Sequence, residues 1–177
     1  SYGEALREIY LNSGFELSSL PYTEREVLQI SRCFPRGKVD TYLGAQASED
    51  VVKNAPLRDY RIIHFACHGF QDEKSPLRAA LVLSLEGNNI EDGFLQVREI
   101  YDLKLNADLV VLSACQTGRG KLEYGEGVLG LPRVFFYAGA RSTISTLWKI
   151  NDKSTSDLMR HFYLHLSAGT DKAQALR

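Results

Sequence analysis

The chain has 177 residues, of which 44% are hydrophobic and 24% are charged, and its formal net charge is −1. This composition is typical of one globular domain with a substantial core, and it argues against an intrinsically disordered chain. The charge is close to zero and no basic run is present, so nucleic-acid binding is not expected. No apolar stretch approaches the roughly 20 residues that span a bilayer, and the first residues have no signal-peptide pattern.

Cysteine usage indicates the compartment. The three cysteines, Cys33, Cys67 and Cys115, are too few and odd in number for a disulfide scaffold. A reactive thiol is expected in a reducing environment, so we predict a cytoplasmic protein that does not contact a membrane. Because the chain lacks an initial methionine and stops within a helix-like KAQALR, we also expect an excised domain or a processed piece.

The first predicted elements are helical. Residues 3–11 are amphipathic, and two interpretations stay open: the end of a preceding helical repeat, or a short helix packed on this domain. A second helix is predicted to begin at Thr23, where Thr23 and Glu26 have the spacing of a capping box, and to end at Pro35. Its core face is predicted to contain Val27, Ile30 and Phe34.

Strand and helix signals then alternate to the end of the chain. The predicted elements are a strand at 39–43, a helix at 48–55, strands at 60–66 and 79–85, a turn at 87–89, a helix at 97–103, a strand at 109–112, a helix with Val128, Leu131, Phe135 and Ala138 on one face, a strand at 142–147, and a helix with Leu158, Phe162 and Leu166 on its core face. Such alternation predicts an α/β fold with a mostly parallel sheet, with the helix after residue 127 packed under it.

Two motifs, HFACHG at 64–69 and LVVLSACQTG at 109–118, have the same pattern. In each, an apolar run of strand length is followed by a reactive side chain and then by a glycine that permits a sharp turn. If the two strands are parallel neighbours, His68 and Cys115 leave the sheet at the same edge, where open α/β folds place ligand crevices.

The residue types indicate nucleophilic catalysis. A cysteine with an ordinary pKa of about 8.5 is mostly protonated at neutral pH, and a neighbouring imidazole favours the reactive thiolate. His68 is the candidate base for Cys115. The glycines that follow each motif let backbone amides approach a substrate carbonyl, and we predict an oxyanion hole from the amides of Gly69 and Cys115.

The same residues also have interpretations that do not involve catalysis. A lone cysteine or histidine at a strand end is often an inert part of the core. The set His64, Cys67, His68 and Cys115 is compatible with zinc, but adjacent Cys67 and His68 should face opposite sides of a strand, so no metal site is predicted. His64 lies inside its strand, and we interpret it as a core residue or as a support for the dyad. GRGK at 118–121 lacks the spacing of a P-loop, and His161 and His165 are expected on a solvated helix face.

Four segments together resemble the CHAT domain, a caspase-like family that usually accompanies tetratricopeptide repeats: HFACHG, SACQTG, GEGVLGLPRVFFYAGARS and STLWKINDKSTSDLMRHFYLHL. The histidine roughly 50 residues before the cysteine also resembles the caspase arrangement. The resemblance implies a caspase-like three-layer sandwich over residues 20–177, with His68 and Cys115 as its catalytic dyad. Residues 1–19 are then a helical lead-in, the end of a preceding repeat or a linker.

The resemblance also implies a substrate cleft between Thr146 and Asp152. We expect Gln116, Trp148 and Asp152 to contact substrate; alternatively, Trp148 is part of the core and Asp152 caps the last helix. Glu126 is expected to support the dyad indirectly by orienting the loop that follows Cys115. Alternatively, its charge simply favours the N-terminus of the following helix.

Two functions follow from the sequence. The leading hypothesis is a cysteine endopeptidase that cuts a protein or peptide substrate without a cofactor, regulated by an attached tetratricopeptide-repeat domain or an activator protein, or activated by self-cleavage. The alternative is a catalytically silent scaffold or protein-binding module with the same fold.

Overall fold

The computed structural model describes residues 20–70, 79–86, 90–113, 115–116, 127–146 and 152–177, and for residues 115, 116, 127–130 and 152 it describes the backbone alone. The chain divides into two compact units. One is formed around residues 44–149, and the other combines residues 19–43 with residues 150–177. None of the helices in the described part of the chain is long and apolar enough to cross a membrane.

All described strands belong to the first unit. They are β1 (Ile62–Phe65), β2 (His68–Phe70), β3 (Ala80–Val82), β4 (Phe94–Gln96), β5 (Leu109–Leu112), β6 (Cys115–Gln116) and β7 (Thr143–Ser145). One sheet has the order β1–β5–β7 and is parallel throughout. The other has the order β4–β3–β2–β6, in which β2 and β6 are parallel and β3 is antiparallel to both of its neighbours.

The two sheets share their central chain segments. Phe65 at the end of β1 pairs with Leu112 at the end of β5. The amide of Ser113 then donates a hydrogen bond to the carbonyl of Phe65 at 2.8 Å, just before β2 and β6 begin. The parallel register of the first strand pair is therefore carried into the second, and the α/β fold class with mostly parallel pairing is confirmed.

Charged side chains join the beginnings of the three parallel strands. Asp108, which precedes β5, accepts a hydrogen bond from Arg61 Nε at 2.6 Å and another from Arg141 Nη1 at 3.0 Å. Arg61 precedes β1 and Arg141 precedes β7. Both arginines are largely exposed, so each of these ion pairs is expected to add at most about 1 kcal/mol to stability.

The described helices are α1 (Thr23–Ser31), α2 (Glu49–Asn54), α3 (Val97–Asp102), α4 (Gly127–Ala138), α5 (Asp152–Ser167) and α6 (Lys172–Ala175), with short 3-10 turns at Gly44–Gln46 and Leu57–Asp59. Ser48 caps α2, because its hydroxyl accepts a hydrogen bond from the amide of Val51 at 3.3 Å. The helices predicted at 48–55 and 97–103 are confirmed.

Alternate residues of the strands face different surroundings. Phe65, Leu81 and Leu95 belong to one buried cluster together with residues of α3 and α4, and the rings of Phe65 and Phe135 lie 5.6 Å apart. This confirms that α4 packs on the sheet. The intervening positions build a second, smaller cluster of Phe70, Ala80, Val82 and Phe94. The period of two along each strand thus separates two faces of the sheet.

The second unit is helical. Helix α1 buries Glu26 and Ile30, and helix α5 buries Phe162 and Tyr163. Burial, together with the nearby negative charge of Glu26, raises the pKa of the Tyr163 hydroxyl, so this tyrosine stays neutral. The aromatic rings of Phe34 and Tyr163 pack edge to face, with their centroids 6.0 Å apart.

Two details of this unit differ from the predictions. The capping box at Thr23 does not form: Tyr22 is the N-cap, and the Thr23 hydroxyl donates a hydrogen bond to the carbonyl of Leu20 at 2.8 Å, while Glu26 is buried. The predicted core position Leu158 is 43% exposed, because the buried face of α5 is rotated by one residue. That face consists of Thr155, Ser156, Met159, Phe162 and Tyr163.

The strand predicted at 39–43 is wrong, since these residues have no regular structure and lead into a 3-10 turn. Conversely, β4 was not predicted. Pro132 lies at the sixth residue of α4. The turn predicted at 87–89 and the helix at 3–11 fall outside the described residues. The domain boundary at residue 20 stays a prediction.

Candidate functional site

The two sequence motifs meet in the sheet. Strands β2 and β6 are parallel neighbours, and His68 is the direct register partner of Cys115. Neighbouring strands lie about 4.8 Å apart, and register partners occupy the same face of a sheet. The prediction that these two residues reach the same place is confirmed at the level of the backbone. This distance is short enough for an imidazole and a thiol to interact.

Register also distinguishes the two histidines of the first motif. His64 pairs with Val111, which precedes Cys115 by four residues. At about 3.3 Å per residue, His64 lies about 13 Å along the strand from the level of Cys115. His64 is half-buried, whereas His68 is 8% exposed. His68 is therefore the histidine at the level of Cys115, and His64 lies four residues earlier, in β1.

The surroundings of His68 differ from the expectation in one respect. A sharp turn was expected at Gly69, but the strand continues through Gly69 to Phe70. The reason is that β3 pairs with this segment and places Val82 opposite His68. His68 is thus enclosed between two neighbouring strands. The sequence contained a signal for β3 in its apolar run at 79–85, but nothing indicated that β3 would pair here.

Cys67 lies on the other side of the strand from His68. It packs against the large cluster that contains Phe65. Burial raises the pKa of the Cys67 thiol to about 12, so it is almost entirely protonated at neutral pH. Cys67 is therefore a poor candidate for a nucleophile.

We expect the Cys67 thiol to resist alkylation in the folded protein. At pH 7.5 its thiolate fraction is about a thousandth of that of an exposed cysteine, so labelling by iodoacetamide should be slower by about that factor. Mass spectrometry of peptides from the time course measures each cysteine separately. Unfolding in guanidinium is the control and should remove the protection. Rapid labelling of Cys67 in the native protein would contradict its assignment to the core.

The other predicted site residues are less completely described. Gln116 is the register partner of Gly69 in β6, and Asp152 is the first residue of α5. Glu126 and Trp148 fall outside the described residues. The roles proposed for these residues, and the oxyanion role of the Gly69 and Cys115 amides, therefore stay predictions. His161 and His165 are both exposed on α5, as expected for a solvated helix face.

Sequence reasoning missed a charged cluster in the same unit. Within the described part of the chain, Glu49, Glu91 and Glu99 bring one carboxylate oxygen each within 4.8 Å of one another, a spacing that could hold a metal ion. The ammonium of Lys53 lies between 2.7 and 3.0 Å from an oxygen of each. Lys53 therefore supplies the positive charge of this cluster. Glu49 and Lys53 are separated from Glu91 and Glu99 by about 40 residues of sequence, so no local pattern signalled the cluster.

Comparison with known proteins adds two findings. The family model of the CHAT domain matches residues 9–177. Tetratricopeptide repeat protein 28 of Mus musculus is 30% identical over 82 residues, which is 46% of this chain and 3% of that protein. Tetratricopeptide repeat protein 28 of Homo sapiens is 30% identical over 87 residues, or 49% of this chain and 4% of that protein. The matched part is therefore a small fraction of each relative.

Proposed function

Because this chain belongs to the CHAT domain family, a caspase-like family, we propose that it is a cysteine endopeptidase in which Cys115 is the nucleophile and His68 the base. Its substrate is a protein or peptide. The observation that supports this proposal most directly is the register of β2 and β6, in which the two residues are direct partners. No cofactor is needed for the chemistry.

The proposed reaction uses two proton transfers to form the acyl-enzyme and two more to hydrolyse it. The imidazole of His68 takes the thiol proton of Cys115, and the thiolate attacks the scissile carbonyl to form a C–S bond. His68 then returns the proton to the leaving amine as the C–N bond breaks. Water, activated by the same imidazole, hydrolyses the thioester and regenerates the thiol. The amides of Gly69 and Cys115 are the proposed donors to the oxyanion.

We expect Cys115→Ala to abolish peptide cleavage by this chain. Without a nucleophile the acyl-enzyme cannot form, so turnover should fall to the level of the uncatalysed reaction. The measurement is cleavage of a proteome-derived peptide library, read by mass spectrometry, which also gives the residue preferred before the cut. Cys33→Ala is the matched control, because Cys33 is a thiol of the helical unit whose removal should leave cleavage unchanged.

The same experiment separates the two candidate functions. Cleavage by wild type and by Cys33→Ala, but not by Cys115→Ala, supports the peptidase. If all three proteins are inactive, and if Cys115 also labels no faster with iodoacetamide than Cys67, the peptidase proposal fails.

The second candidate, a silent scaffold or protein-binding module, is favoured by one observation. His68 is only 8% exposed, so the base is covered in this conformation. A regulated peptidase accounts for the same observation, if an attached repeat domain or an activator protein opens the site. Both relatives are tetratricopeptide repeat proteins, which supports such repeats as the proposed partner. A reactive Cys115 also requires a reducing compartment, for which we propose the cytoplasm.

A further inference from the structure

Two helices of the first unit expose aromatic side chains beside one another. Tyr101 on α3 is 48% exposed, and Phe136 and Tyr137 on α4 are 48% and 61% exposed. The two helices pack together, and the ring centroids of Tyr101 and Tyr137 lie 5.4 Å apart. Single exposed apolar residues are common, but rings that meet across two helices form a continuous patch. We call these three residues the aromatic surface.

The aromatic surface lies apart from the core faces of its helices. The buried positions are Val97 and Ile100 on α3, and Leu131, Val134, Phe135 and Ala138 on α4. Both helices therefore pack into the unit without using the exposed rings. Aromatic side chains are enriched at the centres of protein interfaces, where their burial supplies much of the binding energy. The aromatic surface thus has the composition of an interface centre.

Positive charges flank the aromatic surface on both helices. Arg98 is exposed and precedes Tyr101 by one helical turn, and Arg133 is exposed and precedes Tyr137 by one helical turn. Residues three or four positions apart are neighbours on the surface of a helix. The two arginines therefore share the outer faces of α3 and α4 with the aromatic rings.

A third cation lies at the C-terminal end of α4. Leu105 donates a backbone hydrogen bond to the carbonyl of Ala138 at 2.8 Å, so the exposed Lys104 is held beside the end of α4 that carries Tyr137. Among the described side chains of α3 and α4, Asp102 is the single exposed acid. Three cations against one acid give this face a positive potential, which favours an acidic partner.

We propose that the aromatic surface docks an acidic peptide segment of a partner protein, whose apolar side chains pack on the rings and whose carboxylates face the three cations. The apolar contact supplies most of the affinity, and the cations select the sign of the partner's charge. This inference does not depend on the peptidase proposal, because none of these residues takes part in the pairing of β2 with β6.

Two other occupants fit the surface less well. An anionic membrane also attracts aromatic and cationic side chains, but the rings of Tyr101 and Tyr137 pack on one another and are about half exposed, so they are poorly placed to insert into a bilayer. Asp102, next to Tyr101, would face the negative headgroups. A second copy of the chain, docked about a two-fold axis, would bring this positive face against itself.

The test begins with a phage-displayed library of random peptides, panned on the wild-type chain at low ionic strength. We expect the enriched peptides to combine aspartate and glutamate with leucine or aromatic residues. Fluorescence anisotropy of synthetic copies gives their dissociation constants. Because salt screens exposed charges, binding should weaken as the ionic strength rises. A copy with lysine in place of each acidic residue should not bind.

Variants of the chain locate the bound peptide. Tyr137→Ala should weaken binding by about ten-fold or more, as expected for an aromatic residue at the centre of an interface. Arg133→Glu should weaken binding at low salt and reduce its salt dependence. Tyr42→Ala is the matched control, because Tyr42 is a 42% exposed tyrosine of the helical unit, and its affinity should equal that of wild type. All three side chains are exposed, so melting curves should show folded variants.

Several results would overturn the proposal. These are a failure to enrich any peptide, enrichment of peptides that lack acidic residues, and equal affinity of Tyr137→Ala and wild type for the enriched peptides. Binding to phosphatidylcholine vesicles only when they contain phosphatidylserine, if lost in Tyr137→Ala, would assign the surface to a membrane instead. Dimerisation in sedimentation velocity, if lost in the same variant, would assign it to a second copy of the chain.

Discussion

Replacement of His68 by glutamine is expected to lower the rate of peptide cleavage by about 10²- to 10⁴-fold, the usual contribution of a general acid–base group. His68 is the histidine at the level of Cys115, and glutamine keeps the polarity and approximate size of the side chain while losing the ability to take a proton. The initial rate on a peptide selected from the library measures the effect. Thermal melting should confirm that the variant is folded, because His68 is buried.

His64→Gln is the matched control for this prediction. His64 lies in β1, the strand just before β2 in the chain. Its register partner in β5 is Val111, not Cys115. We expect its replacement to change the cleavage rate less than ten-fold. The alkylation rate of Cys115 as a function of pH gives a second comparison, since His68→Gln should shift it and His64→Gln should not. A large loss in His64→Gln with a small one in His68→Gln would reverse the assignment of the base.

Gly139→Ala is expected to lower the free energy of unfolding by about 3 kcal/mol or more. Gly139 ends helix α4 with a φ of +113°, a conformation that costs an L-residue about 1–2 kcal/mol. An added Cβ would also overlap the carbonyl oxygen of Leu105 and lie 3.0 Å from its carbon. Since Leu105 donates a backbone hydrogen bond to Ala138 at 2.8 Å, neither segment can move without losing contacts.

Gly169→Ala separates the two causes. Gly169 ends helix α5 with a φ of +89°, but no atom lies within 4 Å of the position of its Cβ. This variant should therefore lose only the conformational contribution, about 1 kcal/mol. In thermal melts we expect Gly139→Ala to lower the melting temperature by on the order of 10 °C and Gly169→Ala by about a third of that. Similar losses in both variants would mean that the contact with Leu105 is not decisive.

The sequence predicted the features that depend on local patterns. The apolar residues Ile62, Ile63 and Phe65 predicted β1 and the apolar run 109–112 predicted β5, and the alternation of strands with helices predicted parallel pairing. Parallel pairing is what brings His68 and Cys115 together, so their proximity could be predicted without coordinates. The helical spacing of Leu131, Phe135 and Ala138 likewise predicted the buried face of α4.

Errors occurred where local signals compete with packing. The spacing of Thr23 and Glu26 is correct for a capping box, but burial of Glu26 in the helical unit removes its carboxylate from the cap. Residues 39–43 have β-branched and aromatic side chains, but the described part of the chain offers them no pairing strand. Strand propensity depends on a neighbouring strand, and a single sequence does not provide that information.

By itself, the sequence determined the fold class, the family and the two residues proposed for catalysis. These follow from short-range periodicity and motif composition, which depend on residues close together in the sequence. Only the tertiary structure showed the register that places His68, and not His64, at the level of Cys115, since the pairing of strands separated by more than 40 residues leaves no local pattern. The same holds for the cluster of Glu49, Glu91, Glu99 and Lys53. Folding buries Glu49 and brings these four charged side chains together, and neither condition exists in the extended chain.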